Sequence, residues 1–229
     1  MARVCVVIPT YNERENIGPL LEGIRASRDG ADLLFVDDSS PDGTPAEISR
    51  YANEEGWIHL LSRGSKMGIG SAYLDGFRHA VTEMGAETVV EMDADLQHPP
   101  SLIPKLVAAV SGGADVAVAS RYVEGGGSEG WGLGRRTISR SANWLAKTLL
   151  GLKVGDCTSG FRAYGRASVQ KLLESNLPTS GFEFQVAALK TLKGQRIVEV
   201  PYTFRARAAG ESKLKFRDVV RFFFYLLSA

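Results

Sequence analysis

The sequence predicts an α/β fold with a mostly parallel central sheet flanked by helices. Three observations carry this: apolar runs of strand length recur through residues 1–120, they are continuous rather than alternating, and segments with helical spacing separate them. Continuous apolar runs imply strands covered on both faces, and strand–helix alternation implies parallel neighbours. In such sheets the ligand site lies at the carboxyl ends of the strands. The polar residues that follow each strand are therefore the first candidates for a site.

The elements follow in order. Val4–Pro9 reads as a strand, Glu13–Ser27 as an amphipathic helix and Leu33–Asp38 as a second strand. Ser39-Ser40-Pro41-Asp42-Gly43 has turn chemistry, and Thr44 is placed to cap the next helix. Ile58–Leu61 is a third strand and Ile69–Met84 a helix; Thr88–Asp93 and Val116–Ser120 complete the series, with the helix Leu102–Val110 between them. Gly125, Gly126, Gly127, Gly130, Gly132 and Gly134 predict a mobile loop over 123–134 rather than a helix or strand. Helical patterns follow near 137–150, 166–175 and 182–193, then a short strand Ile197–Pro201 and a final helix from about Phe216. No repeat or linker interrupts the 229 residues, so one domain is expected.

A hydrophobic content of 44% and a charged content of 23% exclude disordered, collagen-like and coiled-coil chains. The formal charge of +1 hides a split. Residues 1–120 hold 9 Lys and Arg against 18 Asp and Glu, whereas residues 121–229 hold 18 against 8. Cys5 and Cys157 have no repeated spacing, which predicts neither a disulfide framework nor a zinc site, and a reducing compartment. The run Val4–Pro9 is too short for a secretory signal, and no stretch reaches the roughly 20 apolar residues of a membrane span. The terminal helix places Phe216, Val219, Val220, Phe223, Leu226 and Leu227 on one face, with Arg217 and Arg221 elsewhere. Such a stripe packs on a core or lies in a membrane interface. The chain stops within an apolar run, which raises the expectation of a membrane-spanning continuation or an anchoring partner subunit.

Several strand exits carry chemistry. Asp93-Ala94-Asp95 follows a strand, with Gln97 and His98 next. Two carboxylates so spaced can reach one Mg²⁺ or Mn²⁺, or they form a solvated acidic turn that caps a helix. Asp37-Asp38 ends the second strand, where one carboxylate can accept hydrogen bonds from a base or ribose, or serve the turn alone. A dinucleotide fold is excluded because Thr10-Tyr11-Asn12-Glu13 follows the first strand in place of G-x-G-x-x-G. Gly68-Ile69-Gly70 eases a turn. Arg121, Arg135, Arg136 and Arg140 gather beside the glycines, as a phosphate site or as a solvated basic surface. Trp131 either dips into a membrane interface or folds onto the domain. His59 and His79 read as ordinary surface or core residues, and His98 as a residue that shapes its loop.

Read together, Val7-Ile8-Pro9-Thr10-Tyr11-Asn12-Glu13, Val36-Asp37-Asp38-Ser39-Ser40-Pro41-Asp42-Gly43-Thr44 and Met92-Asp93-Ala94-Asp95-Leu96-Gln97-His98-Pro99-Pro100 resemble the family 2 glycosyltransferases of GT-A fold. Ala119-Ser120-Arg121-Tyr122, Thr158-Ser159-Gly160-Phe161-Arg162 and Gly210-Glu211-Ser212-Lys213 continue the match, and the wording is similar to the polyprenol (dolichol) monophosphate mannose synthase branch. The resemblance implies a GT-A nucleotide-sugar-binding fold with a nucleotide half over about 1–120, an acceptor half over about 121–215 and an interfacial helix over about 216–229. It implies a nucleotide pocket of Pro9, Tyr11, Glu13, Val36 and Asp38, with Asp93, Ala94 and Asp95 beneath the diphosphate. Asp95 and Gln97 would ligate the metal with Asp93 close by. Arg121 would meet the acceptor phosphate, with Arg135, Arg136 and Arg140 as further candidates, and Asp95 and Arg121 would be the catalytic pair. Arg207 and Lys213 would lie on a loop closing over the phosphates. The second motif departs from the family at Ser39, where Gly or Asp is common.

The implied reaction is inverting transfer of mannose from GDP-mannose to a polyprenyl (dolichyl) phosphate at the cytoplasmic face of a membrane, with Mg²⁺ or Mn²⁺ and no nucleic-acid partner. A phosphate nucleophile, with a second pKa of about 6, is largely a dianion at neutral pH and needs no general base. Three alternatives stand beside this reading. They are a UDP-sugar donor such as UDP-glucose, a sugar-hydroxyl acceptor, and a non-enzymatic lipid-phosphate or nucleic-acid-binding module.

Overall fold

The computed structural model describes residues 2–178, 181, 183–204 and 216–228, with side chains except those of 216–220 and 228. Strands β1 (Val4–Thr10), β2 (Asp32–Asp37) and β3 (Ile58–Ser62) pair in parallel through the crossover helices α1 (Arg14–Arg25) and α2 (Thr44–Glu54). Helix α3 (Ile69–Thr82) carries the chain back to β4 (Thr88–Glu91), which pairs with the other side of β1. Helix α4 (Ile103–Ser111) leads to β5 (Val116–Ser120). A short strand β6 (Gly127–Ser128) and α5 (Leu133–Leu150) then precede β7 (Arg162–Gly165). Helices α6 (Arg166–Leu173) and α7 (Glu183–Thr191), strands β8 (Ile197–Pro201) and β9 (Thr203–Phe204), and α8 (Phe216–Ser228) complete the described chain.

The main sheet has the order β3-β2-β1-β4-β7-β5-β8, and β7 alone runs antiparallel to its neighbours. The chain direction across the sheet reverses between β1 and β4, so the crevice for a ligand opens at their carboxyl ends. One apolar core lies between the sheet and α3, α6 and α7, with α5 and α8 packed beyond. The other lies against α1 and α4. Central strands buried on both faces are what continuous apolar runs require.

Four local expectations are corrected. Strand β4 ends at Glu91, so Asp93 stands beyond the sheet. The glycine-rich segment is not simply a loop: Gly127–Ser128 pairs with Thr203–Phe204, and α5 starts at Leu133, four residues before the expected 137. Backbone donors from Gly127 and Glu129 find Tyr202 O and Phe204 O at 3.0 and 2.8 Å, bonds that only distant chain supplies. Strand β7 was not expected, because a four-residue strand starting on a buried arginine has no apolar run to announce it. Thr44 is the first helical residue rather than the cap. Gly43 stands before it at φ 90°, and Asp42 Oδ1 accepts the Thr44 N–H at 3.0 Å.

Helix α3 lies unusually close to the sheet. A Cβ at Gly76 would come 2.9 Å from Val36 Cγ2 and closer still to Val7 Cγ1, both on the strands beneath. Gly76→Ala is therefore expected to lower the unfolding free energy by about 1–3 kcal/mol, the usual range for overpacking. Urea denaturation of the two proteins measures it.

Candidate active site

Three strand exits converge at the reversal point. Pro9 and Val36 are register partners on β1 and β2, so the residues after them emerge side by side. Asp37 is fully buried and serves the turn: Thr10 Oγ1, Ser40 N and Ser40 Oγ donate to it at 3.0, 2.9 and 2.6 Å. Asp38 is also buried but meets a cation instead. Arg63 Nε lies 3.3 Å from Asp38 Oδ1 and 3.4 Å from Asp75 Oδ2, and Arg63 Nη2 donates to Ser71 Oγ at 3.0 Å. Burial raises the Asp38 pKa above the ordinary value, against the opposing pull of Arg63. Tyr11 carries the Lys66 ammonium 3.5 Å from its ring centroid. Glu13 accepts from Asn16 Nδ2 at 2.6 Å, and its backbone N–H donates to Thr44 Oγ1.

Non-glycine residues with positive φ mark each exit: Asn12 at 56°, Ser39 at 56° and Leu96 at 64°. A left-handed backbone favours Gly, Asp or Asn; Ser39 adopts it while its hydroxyl donates to Arg63 O at 2.5 Å. Backbone held in sparsely populated regions is characteristic of sites.

The third exit holds the acidic cluster. Asp93 Oδ1 accepts the Tyr73 hydroxyl at 2.7 Å, and the Asp93 N–H donates to His98 Nδ1 at 3.1 Å. Asp95 Oδ1 accepts the Gln97 N–H at 3.1 Å. Ala94 and Gln97 are buried, while Asp93 and Asp95 are half-buried. Among the described residues no three His, Cys, Asp or Glu side chains gather into a metal cage. The donor set is nevertheless all oxygen, and Mg²⁺ characteristically takes one or two carboxylates and completes its shell from substrate phosphates and water. The residues present therefore fit a hard divalent cation.

Beneath the cluster lies a buried network. Glu91 receives the Tyr164 hydroxyl at 2.7 Å and Gln185 Nε2, and stands opposite Arg162 across the β4–β7 pair. Burial pushes Glu91 up from 4.5 to about 7, although Arg162 opposes the shift.

A row of rings leads from this acidic wall to a basic one. His98 stacks on Phe161 with centroids 4.9 Å apart; Tyr202 lies 6.4 Å from both, Phe204 lies 6.4 Å from Tyr202, and Trp131 lies 5.1 Å from Phe204. Trp131 is only 8% exposed, so it folds onto the domain. It carries Arg121 and Arg135 at 5.3 and 4.4 Å from its ring. Arg121 binds Asp156 through Nε and Nη2 at 2.7 and 2.6 Å and Thr158 at 2.9 Å. Burial alone would lower the Arg121 pKa, but the paired hydrogen bonds and charge of Asp156 raise it. Two adjoining clefts of about 260 and 440 Å³ open beside it. Arg140 lines both, Arg136 the first, and Asn143, Trp144 and Lys147 the second. Arg136 Nη2 donates to Ser128 O at 2.9 Å, and Arg135 is exposed on the Trp131 face.

Tyr11, Glu13, Asp38, Asp93, Ala94, Asp95 and Gln97 lie at the strand exits, and Arg121, Arg135, Arg136 and Arg140 at the far end of the ring row. The Val36 side chain, by contrast, is fully buried in the core beneath α3, and Arg207 and Lys213 lie outside the described residues. Sequence reasoning missed Arg63, Tyr73, Asp156, Trp144 and Lys147. Only Tyr73 had a signal nearby, in the glycines at 68 and 70 that open its helix.

Carboxylates at the strand exits and an arginine-lined cleft at the far end of the ring row belong to a fold whose residues 5–173 match the model of glycosyl transferase family 2. The chain belongs to that family. It is 40% identical over 215 residues to the polyprenol monophosphomannose synthase of Mycolicibacterium smegmatis, covering 93% of this chain and 81% of that protein. It is 41% identical over 214 residues to the undecaprenyl-phosphate mannosyltransferase of Micrococcus luteus, covering 93% and 87%. The mannosyltransferase PcManGT from Pyrobaculum calidifontis, solved with GDP-Man and Mn²⁺, superimposes with a TM-score of 0.66 at 20% identity. That likeness shows the fold; it covers 99% of this chain, which spans 64% of PcManGT.

Two stability measurements check the buried charges. Asp156→Ala leaves the Arg121 guanidinium buried without its counter-ion, and the unfolding free energy is expected to fall by about 3–5 kcal/mol in urea. Glu91 has a higher pKa folded than unfolded, so its contribution is full below about 4.5 and is lost as pH rises toward about 7. The stability of wild type relative to Glu91→Gln, both metal-free, is expected to decline across that window in denaturation series at stepped pH.

Proposed function

We propose that this chain transfers mannose from GDP-mannose to a polyprenyl (dolichyl) phosphate, with inversion, at the cytoplasmic face of a membrane. The observation that carries the reading is the row of packed rings from His98 to Trp131, with the acidic cluster at one end and the arginine-lined clefts at the other. The mannosyltransferase relatives at 40 and 41% identity support both the sugar and the lipid phosphate.

The 1–120 half holds the donor. Tyr11, Glu13 and Asp38 line the base and ribose pocket, with Pro9 as its floor. Asp93, Asp95 and Gln97 would hold Mg²⁺ or Mn²⁺ against the diphosphate, with Asp93 and Ala94 beneath it. When bound, the cation offsets charge that builds on the departing nucleoside diphosphate. The 121–215 half holds the acceptor. Arg140 and Arg136, with Arg135 at the mouth, bind the lipid phosphate as a second anion. Arg121 is held rigid by Asp156 and presents its remaining edge to the cleft. Planar guanidinium groups orient a phosphate dianion without taking its nucleophilic lone pairs out of reach. The phosphate oxygen attacks the anomeric carbon, the bond to the nucleoside diphosphate breaks, and no side chain removes a proton.

The apolar substrate needs an apolar approach. Leu133 and Trp144 on α5 are 82% and 64% exposed, beside Arg140 and Lys147; Phe224 and Leu227 on α8 are 70% and 78% exposed. Phe222 and Leu226 instead pack on the core, so α8 anchors by one side and offers the other to lipid. Among the described residues no helix is long and apolar enough to cross a membrane.

The test offers purified protein labelled GDP-mannose, UDP-glucose or UDP-N-acetylglucosamine with polyprenyl phosphate and Mg²⁺ or Mn²⁺, and follows label into organic extract. Label is expected from GDP-mannose; label from a UDP-sugar alone overturns the donor, and none from any donor overturns the activity. Asp95→Ala is expected to lower turnover by about 10²-fold or more. Arg140→Ala is expected to raise KM for the lipid phosphate by roughly tenfold, the scale of one charge-assisted hydrogen bond.

A further inference from the structure

Tyr73 is fully buried on α3, yet its hydroxyl reaches the acidic cluster and donates to Asp93 Oδ1 at 2.7 Å. A tyrosine in an apolar core normally turns its hydroxyl to a backbone carbonyl or to water. Here it meets a half-buried carboxylate of the strand exit. The ring is immobilised on both sides: it stacks on Phe184 at 6.0 Å with an interplanar angle of 11°, and lies 5.8 Å from Phe77.

The approach of α3 is set by glycines. A Cβ at Gly70 would stand 2.9 Å from the Phe184 ring and 3.0 Å from Pro178 O. With the close contact at Gly76, the helix can take no larger side chain at either point, and Tyr73 lies between them. The glycine pair thus sets the height of α3 over the sheet, and that height brings the phenol within hydrogen-bond range of Asp93. Asp93 is held from its other end, by its N–H to His98 Nδ1. Backbone and carboxylate are therefore each tied to a different buried ring.

We propose that Tyr73 is a positioning residue of the divalent-cation site. Its hydroxyl fixes the rotation of the Asp93 carboxylate, so that the carboxylate would meet the cation without rearranging. This rests on the metal-dependent reading above. Partners that orient a metal-site ligand characteristically contribute 10–100-fold to metal affinity.

The test is a Mn²⁺ titration of the full chain with GDP, followed by the electron paramagnetic resonance signal of free Mn²⁺. Tyr73→Phe keeps the ring and its packing and removes only the donor. Its apparent Kd for Mn²⁺ is expected to rise about tenfold, with the metal-free thermal midpoint close to wild type. Asp93→Ala removes the acceptor of the same bond: in that background Tyr73→Phe is expected to add no further loss. A Mn²⁺ titration of Tyr73→Phe that superimposes on wild type overturns the inference. So does an equal loss with and without the Asp93 carboxylate, since that is the behaviour of a merely structural ring. Wild-type protein that binds GDP with no uptake of Mn²⁺ overturns the cation site itself, and this inference with it.

Discussion

A guanidinium removed from water organises the carboxyl edge of the sheet. Among the described residues Arg162 is the largest fully buried side chain, and an ion of that size without partners costs several kcal/mol. Its partners are therefore obligatory: Tyr164 Oη at 3.4 Å, Gln185 O at 2.8 Å and Cys157 O at 3.0 Å, with Glu91 opposite it on the neighbouring strand. Each lies on a different piece of chain. The one charge consequently ties β4, β7, α7 and the turn at 157 together. That turn carries Asp156, which seats Arg121, so the basic wall depends on a residue buried behind it.

The same arrangement places the two walls at a useful separation. Asp93 and Asp95 leave β4 just beyond Glu91, while Arg121 leaves β5 two strands away, because β7 is wedged between them. The rings of His98, Phe161, Tyr202, Phe204 and Trp131 fill the span, so neither charge cluster collapses onto the other. Opposite charges held apart by packed aromatic surface leave room for two anionic substrates. The near-neutral formal charge of the chain is an average over these two surfaces.

Much of this is legible in the sequence because it is local. The strand runs, the turn at 39–43 and the Asp-x-Asp exit are contiguous in sequence, and periodicity or spacing reports them directly. The failures are equally physical. Gly127–Ser128 reads as loop because its hydrogen-bond partners lie more than seventy residues away at 203–204. Strand β7 is invisible because its key residue is a buried cation, which any apolarity pattern scores as surface. Arg63 and Asp156 look like ordinary surface charges until folding brings Asp38 and Arg121 against them. Trp131 was ambiguous because burial of an indole depends on Phe204, which comes far later in the chain.

The amino-acid order alone therefore specified the α/β class and the family, since these rest on side-chain period and on groups within a few residues of one another. Strand order was beyond its reach, and so were the reversal between β1 and β4, the antiparallel wedge of β7 and the pairing of each buried charge. Those arise where distant segments must satisfy one another's hydrogen bonds and charges out of water. Such a constraint has no local signature and is met only when the whole sheet closes.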